Sequence, residues 1–126
     1  MAAPATRLKL DQQALLPADP HADPAACRAA LAGGGRPLLA LILAQGLGPL
    51  WHHCLQSGGQ LDALPQDTAE ALREARLSAA GGYLAQRAAL DRLDRLFEAA
   101  GIPWLVMKGA HVRECVYPDP ALRPAG

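Results

Sequence analysis

Aromatic side chains are scarce, at 4% of 126 residues, and β-branched residues are few. A core built on large rings or on a broad sheet is therefore excluded. Apolar residues still make up 51%, mainly Ala and Leu, both strong helix formers, so a mostly helical protein is expected. Charge of one sign is also missing, since 12 basic and 12 acidic side chains cancel. No basic stripe argues for general nucleic-acid binding, and no acidic tail suggests a disordered partner segment. Three cysteines, Cys27, Cys54 and Cys115, form no CxxC pair. That pattern predicts reduced thiols in a cytoplasmic protein, not a disulfide frame or a zinc site. The longest apolar run, Pro37 to Ala44, is well short of the roughly 20 residues that cross a bilayer, and no membrane partner is expected. A Ser-centred elbow, a dinucleotide fingerprint and a Walker loop are likewise lacking.

What is there divides into three stretches. Residues 1–22 are rich in Pro and Ala and read as a loose lead-in. Residues 23–100 read as a helical region. Asp23-Pro24 is a helix start, because Asp caps free N–H groups and Pro fits the first turn. This helix is expected to stop at Gly33-Gly34-Gly35, and Arg36-Pro37 to open a second that Gly46 closes. A third begins near Gly48-Pro49 and ends at Ser57-Gly58-Gly59. The long element, Asp67 to Ala100, carries an apolar stripe of Leu72, Ala75, Ala79, Tyr83, Leu90, Leu93 and Phe97. Gln86 interrupts the stripe, and Gly81-Gly82 is a soft spot costing roughly 1 kcal/mol per Gly, where a kink is expected. Gly101 stops the helix as a C-cap.

Residues 101–126 change character. Pro103 to Met107 is an apolar run without alternation, which predicts a strand buried on both faces. Lys108-Gly109-Ala110-His111 then turns into a new helical segment. A strand–turn–helix of this kind presents backbone N–H groups and a cation to an anionic ligand, although the same turn also serves plain chain reversal. His111 reads either as a substrate contact or as a simple helix N-terminal residue. Arg123 reads as a phosphate ligand, as a solvated loop charge or as a packing residue. His52-His53-Cys54 looks like a metal cluster, but adjacent helical residues point about 100° apart and do not converge on one ion. Half-buried imidazoles and a core Cys are expected there instead, and Trp51 and Trp104 are expected as core anchors.

The segments Glu98-Ala-Ala-Gly-Ile-Pro-Trp-Leu-Val-Met-Lys-Gly-Ala110 and Tyr117-Pro-Asp-Pro-Ala-Leu-Arg123 together resemble the uncharacterised nucleotidyltransferase family of bacteria, part of the DNA polymerase β-like superfamily. The resemblance implies an α+β parent fold. This chain would then be mostly α, a helical N-terminal bundle followed by the first strand–turn–helix of the transferase sheet. It also implies Mg²⁺-assisted transfer of a nucleotidyl group from an NTP to an unknown acceptor. Lys108, Gly109, Ala110, His111 and Arg123 would face the phosphates. The metal itself would be held by an Asp-x-Asp strand that the family places immediately after the position of Gly126. Neither Asp119 nor Glu114 matches that motif, so the chain reads as an N-terminal portion without a metal site and inactive alone. The alternative is a non-catalytic helical interaction module that pairs Trp104 to Met107 with a partner's sheet edge.

Overall fold

A computed structural model describes residue 20 and residues 22–124. The rest of the predicted N-terminal lead-in lies outside the described residues. Four helices follow in order, α1 (Pro24–Ala44), α2 (Gly48–Ser57), α3 (Gln66–Ala100) and α4 (Gly109–Val116), with single 3₁₀ turns at Leu61–Ala63 and Pro120–Leu122.

The caps fall where the side chains dictate. Asp23 Oδ1 accepts from the Ala26 amide at 2.9 Å, and Pro24 opens the first turn. Gly101 takes the left-handed conformation (φ 69°) and closes α3. The amides of Gly101 and Ile102 bond back to the carbonyls of Glu98 and Phe97 there, as in a Schellman stop. The predicted break at the glycine triplet falls inside α1. Gly35 stands at φ 59° and ψ −150°, a region that side chains with a Cβ avoid, and so joins two helical pieces at a kink. By length and composition alone α1 could cross a membrane, yet Cys27, Leu31, Leu38 and Ile42 are buried within the protein's own core.

That core comprises those four side chains with Trp51 and Leu55 of α2, Leu64 after the first 3₁₀ turn, and Leu72 of α3. Gly48 lets α2 cross closely over α3, since a Cβ there would stand 2.8 Å from the Ala75 Cβ and 2.9 Å from Leu43 Cδ2. The turn at Pro120–Leu122 folds back to place a fully buried Leu122 against α2, α3 and α4.

Three expectations are corrected. The strand at Pro103–Met107 is not formed, and the described residues contain no strand or sheet. A strand exists only where a neighbour completes its backbone ladder, and the described residues offer no such edge. Nor is the run buried on both faces. Trp104 and Val106 are half-buried against α3, whereas Leu105 and Met107 are 73% and 65% exposed. The described architecture is thus all-helical, not the opening of an α+β sheet.

The second correction concerns α3, which runs through Gly81-Gly82 without a break. Its 35 residues span about 50 Å, more than the short helices can cover. Only Leu72 of the apolar stripe is fully buried, and Leu93 is exposed. The third is Trp104, a satellite anchor and not part of the core. Its ring packs on Phe97 at 5.5 Å between centroids, and Nε1 donates to Asp94 at 3.0 Å. Trp51 is a core anchor as expected.

Candidate functional site

The turn from residue 107 into α4 is the most constrained piece of backbone in the C-terminal stretch. Lys108 is the one non-glycine residue with positive φ among the described residues, at φ 60° and ψ −141°. A side chain there meets its own backbone, at a cost of about 1–3 kcal/mol. The Lys108 carbonyl accepts from the amides of His111 and Val112 and so starts α4. No side chain caps that helix. Its first N–H groups, on Gly109 and Ala110, are therefore left for water or a ligand. The Lys108 side chain is exposed, Gly109 and Ala110 are half-buried, and His111 is exposed. The His111 ring lies against Cys115 one turn on, with Nε2 3.6 Å from Sγ.

Arg123 is not the solvated loop charge that one reading allowed. It is half-buried after the turn at Pro120–Leu122, and its Nη1 is buried without a hydrogen-bond partner.

Arg113, one turn into α4, is missed by sequence reasoning and is the more deeply held cation, only 2% exposed. Its guanidinium lies over the Tyr83 ring, 4.7 Å from the centroid, and donates through Nη2 to Gln86 Oε1. Gln86 interrupts the stripe for that reason, and a lone amide on an apolar face was the available signal. Tyr83 in turn donates to Glu114 Oε1 at 2.9 Å. That bond holds the Tyr83 phenol above its usual range, with burial adding to the effect. Arg87 reaches the same Glu114 oxygen at 3.7 Å and pairs with Asp91 at 3.6 Å.

A second polar cluster ties α2 to α3. Arg76 donates to Gln56 Oε1 at 2.9 Å, to His52 Nδ1 at 3.1 Å and to His53 Nδ1 at 3.3 Å. Guanidinium offers only donors, so both Nδ1 atoms must be unprotonated acceptors. Cys54 is buried and His53 half-buried, as expected of a core Cys and a half-buried imidazole, whereas His52 is buried more deeply than that reading. No group of three or more metal-ligating side chains occurs among the described residues.

Burial, with the positive charges of Arg76 and Arg73 adding to it, lowers the His52 pKa below 6.5. The folded state then binds fewer protons than the unfolded chain in the window below 6.5, so stability rises with pH there. The contribution is complete above pH 6.5 and is lost as the pH falls through that value toward the folded pKa. Protonation also turns the Arg76–His52 contact into donor against donor. Thermal unfolding followed by circular dichroism should show a lower Tm at pH 5 than at pH 7.5, and His52→Gln should flatten that dependence. An equal slope in both proteins would refute the assignment.

Comparison with curated proteins gives no match, nor does comparison with solved structures. Residues 35–126 match the family described as uncharacterised nucleotidyltransferase, a stretch that runs from the kink in α1 through the Lys108 turn and past Arg123. With most of its length matched, the chain belongs to the uncharacterised nucleotidyltransferase family.

Proposed function

We propose that this chain takes part in transferring a nucleotidyl group from a nucleoside triphosphate to an acceptor. In this reading Lys108 and the first N–H groups of α4 hold the triphosphate. The observation that carries it is the Lys108 turn, a cation fixed in a strained backbone at an uncapped helix N-terminus. Strain of this kind persists where the surrounding structure enforces it, and it clusters at ligand-holding turns. Gly109 adds no Cβ where phosphate oxygens would approach the backbone, and helix N-termini favour such anions. Arg123, with a buried unpartnered Nη1, is the second cation assigned to the phosphates in this reading.

The described residues do not fit a Mg²⁺ site of their own. Asp119 is occupied as a cap, accepting from the Ala121 amide at 3.0 Å. Glu114 is engaged by Tyr83 and Arg87, and neither belongs to a group of three or more metal-ligating side chains among the described residues. Carboxylates that would hold the metal are therefore assigned, within this proposal, to polypeptide other than the described residues.

The test begins with the intact mass of the product made from the native gene. That product is then incubated with Mg²⁺ and α-labelled nucleoside triphosphates, with cell extract as the source of acceptor. A mass above that of the 126-residue chain and metal-dependent label transfer are expected. No transfer by the native product with any common triphosphate would refute the function. Transfer by the 126-residue chain alone would overturn the placement of the carboxylates.

A further inference from the structure

Arg113 poses a problem in electrostatics that the transferase reading does not absorb. Its side chain is almost wholly buried, and no carboxylate pairs with it among the described residues, where both ion pairs belong to Arg87. Its contacts are the neutral Gln86 amide and the face of Tyr83, and its Nε is buried without a partner. A buried charge costs several kcal/mol unless an opposite charge and full hydrogen bonding offset it. A cation–π contact returns only about 2 kcal/mol when desolvated. No compensating anion therefore stands beside Arg113 among the described residues.

A place for it adjoins the guanidinium. A cleft of ≈ 320 Å³ opens between the start of α2, the middle of α3 and α4. Arg113 and Tyr83 line it together with Ser78, which supplies a hydroxyl, and with Gly48 and Pro49 of the first turn of α2. That turn has no side-chain cap; Pro49 carries no N–H and the Trp51 amide bonds to Leu47, so the Gly48 and Leu50 amides and the positive end of the helix dipole receive no side-chain partner. No acidic residue lines the cleft, and Leu43 and Pro49 give it an apolar portion.

The geometry points to a binding site for a phosphoryl group in this cleft, with the phosphate held between Arg113 and the start of α2. A tetrahedral dianion suits two donor sets lining one space, whereas a flat carboxylate suits a single fork. The volume leaves room for a small organic group esterified to the phosphate, packed on Tyr83 and Pro49. The site is built from α2, α3 and α4 and does not use the Lys108 turn, so it stands whether or not the chain serves nucleotidyl transfer.

The experiment is a titration of the 126-residue chain with inorganic phosphate, followed by calorimetry and by Tm at constant ionic strength. Acetate and chloride serve as controls. Saturable heat and a saturable rise in Tm are expected with phosphate only. Arg113→Met should weaken binding by about tenfold or more, the loss of a charge-assisted contact. Because that variant could also unfold the chain, Ala79→Leu provides a second measurement. It fills the cleft from α3 while leaving Arg113 in place, and it should abolish phosphate binding with the helical signal intact. A rise in Tm that never saturates and is shared by both variants is only the general salting effect of phosphate, and it would overturn the assignment. Equal binding of acetate, or undiminished phosphate affinity in Ala79→Leu, would overturn it too.

Discussion

Replacing Leu72 with alanine should destabilise the protein by about 2–5 kcal/mol, the range for deleting a fully buried leucine. Leu72 has no exposed surface and is the only fully buried side chain on a helix of 35 residues. It enters the cluster of Cys27, Leu31, Leu38, Ile42, Trp51 and Leu55, and so pins α3 to α1 and α2 at one point. The surrounding wall consists of rigid helices in contact on several sides and collapses poorly into the space left. Against a total stability of about 5–15 kcal/mol, the loss is large enough to populate the unfolded chain. Leu93→Ala supplies the internal control, because Leu93 is 40% exposed and lies outside that cluster. Its cost should stay within about 1 kcal/mol on the scale for partly exposed positions. Urea unfolding of the two variants measures the difference. Equal costs would mean that α3 is held along its whole length and not at Leu72.

The same contrast explains how much of the fold could be read in advance. Helix ends were legible because they rest on local chemistry: Asp23 with Pro24, the break at Gly35, and the left-handed Gly101. Periodicity identified α3 correctly but could not say how far the body of the protein reaches along it. The stripe continues to Phe97, while full burial ends at Leu72. The run Trp104 to Met107 was misread for a related reason. An apolar tetrapeptide carries no information on whether a partner strand is present, and here the described residues supply none.

Of the two candidate sites, the Lys108 turn could be singled out in the sequence and the Arg113 cleft could not. Lys108, Gly109 and Ala110 stood out from the order of a helix stop, an apolar run and a turn. Arg113 did not, because an arginine on a short amphipathic helix reads as a solvated charge. Its burial follows from Tyr83 and Gln86, which lie on α3, 30 and 27 residues away, and from the fold that brings α4 back onto them. Long-range pairing of that kind leaves one local trace, a polar residue at a stripe position. Arg76 is similar, since its three acceptors all come from α2.

The remaining prediction separates backbone strain from charge at Lys108. Lys108→Gly removes the Cβ from a position at φ 60° and ψ −141°, and should stabilise the protein by about 1–3 kcal/mol in urea unfolding. The same change deletes the cation, and should weaken binding of inorganic tripolyphosphate by about tenfold or more. Lys108→Ala keeps the strain and loses the charge, so it should match the glycine variant in binding but gain little stability. Lys108→Arg keeps both, and should behave like the parent in both measurements. The four proteins sample three combinations of Cβ and charge, in which stability follows the Cβ and affinity follows the cation. A position kept strained although glycine would fit it better is what a stability–function trade-off looks like at one residue. If Lys108→Gly binds tripolyphosphate as tightly as the parent, the turn serves chain geometry alone and the phosphates must be held elsewhere.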